Sequence, residues 1–130
     1  MTSATRQAQK SYQVETEHAI HFMGSEVPPA LSTPALMMWM ELLSREVARP
    51  LLEPGQDTVG ISIQLQHFAP TPVGMKVRIQ SRLEAQEGKI LNFQLEAFDE
   101  KDKISKATHR RAIVNVPKFG ERLSQKASQT

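Results

Sequence analysis

The chain has 130 residues, of which 39% are hydrophobic and 23% charged, with no cysteine and a formal net charge of +2. That length fits one domain able to bury a core without staples. The missing cysteines exclude disulfide scaffolds, thiolate metal sites and a cysteine nucleophile. Net charge is small, but the last thirty residues hold eight Lys/Arg against two Asp/Glu, while the first hundred hold eight against twelve. The end of the chain is therefore a basic patch able to meet phosphates, with a solvated tail as the alternative from Lys118 onward.

Residues 1–11 and 121–130 are polar and read as tails around one domain, 12–120. The first ten residues lack the apolar run of a signal peptide, and no stretch approaches a membrane span. Tyr12 to Phe22 alternates, with Val14, Thr16, His18, Ile20 and Phe22 on one face, which reads as a strand. His18 and His21 fall on opposite faces of such a strand and do not share a metal. Gly24, Pro28 and Pro29 make the next stretch a loop.

Ser32-Thr33-Pro34 is a helix start, with a hydroxyl cap and a proline where no N–H is needed. Leu36, Met40, Leu43 and Val47 then form one apolar stripe, and Pro50 and Pro54-Gly55 end the helix near residue 51 or 52. It is the only long helix expected. Asp57 to Ala69 alternates again, with Val59, Ile61, Ile63, Leu65 and His67 on one face and Gly60 on the other. Three further strands, roughly 75–86, 89–98 and 104–116, are joined by turns at Glu87-Gly88 and Asp99 to Lys103. Strand, helix and four strands joined largely by short turns give an α+β domain with an antiparallel sheet.

Three polar residues sit where apolar ones are expected. Glu41 lies at the margin of the helical stripe, where a partly desolvated carboxylate is a better base; a surface pairing with Arg45 is the plainer alternative. His67 continues an apolar strand face and can exchange protons near neutral pH; a satisfied core histidine is the plainer alternative. Thr33 stands at the helix start, where an N-cap role is the simple explanation. Nucleotide loops, serine elbows and His-Glu-x-x-His are absent, and nothing interleaves basic with aromatic residues for nucleic acid.

The segments Ser32-Thr33-Pro34-Ala35-Leu36 through Met40-Glu41, Leu52-Glu53-Pro54-Gly55, Thr58-Val59-Gly60, His67 through Met75, and Thr108-His109-Arg110-Arg111-Ala112 together resemble the hotdog-fold thioesterases, and most closely their fluoroacetyl-CoA thioesterase-like branch. The resemblance spans roughly residues 12–120. It implies a five-stranded antiparallel sheet wrapped around one long helix, a homodimer or a tetramer of paired dimers joined edge to edge, and active sites at the dimer interface. It implies a cytoplasmic enzyme without membrane or nucleic-acid partners or added cofactor, hydrolysing a small or medium acyl-CoA, with CoA entering only as part of the substrate. A non-catalytic acyl-CoA or small-ligand-binding protein is the alternative.

The family's catalytic threonine, glutamate and histidine match Thr33, Glu41 and His67, and its carbonyl-polarising glycine matches Gly60. Lys106, Arg110 and Arg111 are the candidates for CoA phosphates, and Met37, with its neighbours Met38 and Met40, for the acyl pocket. Two departures stand out. The branch's fluoroacetate-hydrolysing member guards its acyl pocket with aromatic residues in the loop before the helix, and residues 24–31 contain none. The branch also carries Thr-His-Glu-Arg in the last strand where this chain has Thr108-His109-Arg110-Arg111.

Overall fold

In a computed structural model, which describes residues 6–128, five strands form one antiparallel sheet: β1 (Gln7–Gln13), β4 (Gln56–His67), β5 (Lys76–Glu87), β6 (Ile90–Phe98) and β7 (Lys103–Asn115). Their order is β1-β5-β6-β7-β4, so β1 and β4 are the edges. Two short strands, β2 (Ala19–Ile20) and β3 (Ala30–Leu31), pair beside it. Helix α1 (Thr33–Ala48) lies in the curve of the sheet, and α2 (Val116–Ala127) follows β7. This is the hotdog arrangement.

The apolar stripe of α1 does what its spacing requires. Leu36, Met40, Leu43 and Val47 are all buried, against Val77, Ile79, Leu91, Phe93 and Leu95 of the sheet. Ser44 also faces the core, where its hydroxyl meets that of Ser81 at 2.8 Å, so helix and sheet share a satisfied polar pair. Trp39, off the stripe, is buried by Tyr12 stacking at 4.6 Å and by the edge of His18 at 4.8 Å.

Three expectations are corrected. The first strand is Gln7–Gln13, not Tyr12–Phe22, so residues 7–11 are not a tail. This edge strand is half solvated, and only Ala8 and Tyr12 pack on the core, so its polar sequence hides it. The alternation after Tyr12 is spent on a 3₁₀ turn, Thr16–His18, held by Glu15 N–H donating to His18 Nδ1. The polar C-terminal stretch continues as α2, started by Asn115, whose side chain accepts from Lys118 N–H, and by Pro117 in the first turn. Residues 1–5 and 129–130 of the two expected tails lie outside the described residues.

The third correction bears on the site. Strand β4 does not keep one parity. Gly60 stands opposite Arg111 and Ser62 opposite Arg110, so Ile61 is an extra, unpaired residue. Ile63, Leu65 and His67 face α1, as expected, but Val59 does not share their face. Thr58 and Gly60, before the bulge, face α1 instead. Gly60 and His67 are seven positions apart. In a regular strand they would point to opposite sides of the sheet; the bulge puts them on the same side.

Candidate active site

Thr33 and His67 meet at the start of α1. Ser32, not Thr33, is the cap: its hydroxyl accepts from Ala35 N–H at 3.2 Å. The Thr33 hydroxyl is thereby free for His67, with Oγ1 2.9 Å from Nδ1. The helix start is pinned beside the loop after β4, because Leu31 N–H donates to Thr71 O at 2.8 Å and Ser32 N–H to His18 O at 2.8 Å. The other imidazole nitrogen of His67, Nε2, is buried without a hydrogen-bond partner among the described residues. Burial holds the His67 pKa below the usual histidine value, so the ring is neutral at pH 7. A neutral ring anchored at one nitrogen and unengaged at the other is arranged to take or give a proton at Nε2.

Glu41 and Gly60 meet elsewhere. A Cβ on Gly60 would collide with Glu41 Oε2 and would lie 3.4 Å from the carboxyl carbon and 3.3 Å from His109 Cε1. Only a glycine lets the carboxylate come this close to the β4 backbone. Arg45 does not pair with Glu41; it makes a bidentate contact with Asp57 at 3.0 and 2.7 Å. That contact holds the Asp57 carboxyl down at a pKa of about 2.

Behind Glu41 lies a network that the sequence reading missed. Arg111 is 5% exposed and donates to Thr58 Oγ1 at 2.8 Å, to Thr58 O at 2.9 Å and, through Nη1, towards Glu41 O at 3.5 Å. The same Nη1 lies 3.2 Å from His109 Nε2, while His109 Nδ1 lies 2.8 Å from Ser62 O, just past the bulge. One tautomer satisfies both contacts: Nδ1 donates to the carbonyl and Nε2 accepts from the guanidinium. Desolvation pushes the His109 pKa down, which keeps that neutral form. The signal was present in the parity of β7, where Ala107, His109 and Arg111 share the inward face.

Arg111 is therefore not a surface residue open to CoA phosphates. Its guanidinium is turned into the domain, where Thr58 and His109 engage it. Lys106 and Arg110 are exposed on the outer face of β7. Met37 is half-buried and is not part of the cavity beside Thr33 and His67.

The four matched residues thus form two pairs, not one cluster. Thr33 and Glu41 are eight residues apart on α1, about 12 Å of helical rise. Gly60 and His67 are separated by roughly 20 Å of strand. Both pairs lie on the helix-facing side of the edge strand β4, one at its bulge and one at its C-terminal end.

The chain is similar in sequence and fold to known thioesterases. The profile of the fluoroacetyl-CoA-specific thioesterase family matches residues 14–117. A fluoroacetyl-CoA thioesterase of Streptantibioticus cattleyicolor is 33% identical over 102 residues, 78% of this chain and 73% of that protein. A solved fluoroacetyl-CoA thioesterase structure superposes with a TM-score of 0.85 at 26% identity, covering 97% of this chain and 98% of the other. A thioesterase superfamily member from Thermus thermophilus gives 0.86 at 26% identity, covering 98% and 97%. A hot-dog-like protein from Thermanaerovibrio acidaminovorans, at 18% identity, shares the fold with a TM-score of 0.86, covering 94% and 90%. By profile, identity and fold, the chain belongs to the fluoroacetyl-CoA-specific thioesterase family and is a thioester hydrolase.

Proposed function

We propose that the chain hydrolyses an acyl-CoA thioester to a carboxylic acid and free CoA, at sites assembled from two copies. The observation that carries this is the separation of the Thr33–His67 pair from the Glu41–Gly60 pair along one edge strand. Strand β4 is twelve residues long, and among the described residues only β7 pairs with it. Such an edge is a template for another strand. Beside it, Met38 and Leu42 of α1 and Ile61 of the bulge are exposed apolar side chains. A twofold axis pairing β4 with a second β4 runs the strands antiparallel. The Gly60 end of one then meets the His67 end of the other, and each interface holds two complete sets of four residues.

In each set the Gly60 N–H polarises the thioester carbonyl and stabilises the developing oxyanion; a donor of this kind contributes about 10²–10³ in rate. Glu41 of the same copy attacks the carbonyl carbon or activates the attacking water. Thr33 of the second copy orients its own His67, whose Nε2 exchanges protons with the water and the departing thiolate as the C–S bond breaks. Arg111 and His109 fix the backbone that carries Glu41 and Gly60. The exposed Lys106 and Arg110 are the cations left for CoA phosphates. An acyl-CoA substrate suits a cytoplasmic enzyme.

The test is complementation. Glu41→Gln and His67→Ala homodimers should each lose thiol release by 10²-fold or more. In a refolded equimolar mixture, half the dimers are mixed and each has one intact composite site, so about a quarter of wild-type activity returns. No recovery, with mixed dimers demonstrated by mass, would mean that each chain carries its own site. Full activity in both variants would remove the catalytic assignment altogether.

A further inference from the structure

A cavity of about 800 Å³ opens between the loop preceding α1 and the loop following β4, and Thr33 and His67 form part of its wall. Apart from those two, its wall is overwhelmingly apolar. Phe22, Met23 and Val27 come from the first loop, and Phe68 and Pro70 from the second. Phe22 is 78% exposed and Met23 58%. Large apolar side chains left this wet at the mouth of a cavity gain burial when an apolar ligand enters. No Lys, Arg, Asp or Glu lines the cavity. Its two ionisable groups are histidines. The neutral His67 is one, and His21 is exposed, with Nε2 3.1 Å from Thr16 O.

Residues 24–31 hold no aromatic side chain. Phe22 sits at the rim, whereas Val27 is an aliphatic side chain within the loop. The loop is tied at its two ends, where Ile20 of β2 pairs with Ala30 of β3, and Ala30 also bridges to Pro72. Between Ile20 and Ala30 a single backbone hydrogen bond, Val27 N–H to Gly24 O at 3.3 Å, is recorded among the described residues.

Resting on the thioesterase reading above, we propose that the acyl group this cavity takes is uncharged and apolar and longer than two carbons, and that Phe22 with Met23 sets that preference. A two-carbon acyl group would leave most of this wall wet. A carboxylated acyl chain would lose water and meet no cation. Each methylene moved from water onto the wall should raise kcat/KM about three- to fourfold until the cavity is filled.

The experiment measures kcat/KM for acetyl-, butyryl-, hexanoyl-, octanoyl- and succinyl-CoA, with wild type and Phe22→Ala, whose folding is checked by thermal melting. The expected result is a rise of at least tenfold from acetyl to hexanoyl, with succinyl at least tenfold below butyryl. In Phe22→Ala the hexanoyl-to-acetyl ratio should fall several-fold. A flat or falling series, or succinyl equal to butyryl, would overturn the proposal while leaving thioester hydrolysis standing. Should no thioester be cleaved, the hydrolysis reading fails by itself. Calorimetric binding of non-hydrolysable S-alkyl-CoA thioethers of the same lengths then decides: tighter binding with length supports the apolar pocket, and equal binding overturns it.

Discussion

The bulge of β4, the Gly60 end of the site, and the strand's last residue, the His67 end, solve different problems. At the His67 end, the site is a single side-chain hydrogen bond at the mouth of a cavity, between two loops, with one imidazole nitrogen left unengaged. At the Gly60 end, a carboxylate is pressed against a bulged backbone and backed by a buried guanidinium whose donors reach Thr58 and His109. The first end has a nitrogen left to exchange protons with what binds; the second has its groups engaged. A group that must shuttle a proton needs an unsatisfied partner, whereas a group that must stabilise developing charge works best when it cannot reorganise. The difference shows how one strand can serve both tasks.

Substitutions can break each end separately. The largest effect is expected from Gly60→Ala. Its methyl must displace the Glu41 carboxylate, so kcat should fall about 10²–10³-fold. The melting temperature should change by only a few degrees, because the atom the methyl would overlap is the end of the Glu41 side chain, while His109 Cε1 lies at 3.3 Å. Steady-state kinetics and thermal melting check this pair of outcomes; a KM effect alone would refute the positioning argument. Arg111→Met should act on stability first. It strands the Thr58 and His109 acceptors in a buried site, at a cost of about 2–3 kcal/mol, measurable by urea unfolding. Little change in stability would show that the network is not tightly held.

The His67 end should be sensitive to pH rather than to packing. Its folded pKa lies below the unfolded value of about 6.5 because the charged form is desolvated. Neutral His67 therefore persists at pH 7, and kcat/KM should fall on the acid side only below pH 6.5, with this limb missing in His67→Gln. A limb centred above pH 7 would contradict the burial argument. The same depressed pKa means that stability is lost as pH drops through the unfolded value and levels off below the folded one.

The smallest expected effect comes from Asp57→Asn, next to the held end. The Asp57 pKa is lowered to about 2, so its contribution is fully present above pH 4 and lost as pH falls towards 2. The pair with Arg45 is partly exposed and screened by solvent. The variant should therefore melt a few degrees lower at pH 7 and no lower than wild type near pH 2. A loss that persists at pH 2 would assign Asp57 a role beyond its charge.

Much of this was legible in the residues. The stripe Leu36, Met40, Leu43 and Val47, the Ser32-Thr33-Pro34 start and the turn glycines have a local cause, and each behaves as its spacing dictates. The strands failed at the margins for one reason. Strand β1 and helix α2 are polar because each has a solvated side, so their segments looked like tails. Thr33, Glu41 and His67 stood out as polar residues in apolar company, but spacing alone could not show that they form two pairs.

The amino-acid sequence by itself determined the helix, the inner strands and the residue types available for chemistry, because propensity, capping and hydrophobic period act over a few residues. Only the tertiary structure decided which of them meet. The bulge at Ile61 reverses the parity of β4, so that Gly60 and His67 come to share a face. Arg111, one of three basic candidates, turns inward because β7 pairs with β4 and β6 in a register that points odd residues at the helix. Register and bulges are fixed by contacts between strands far apart in the chain, and no local pattern records them.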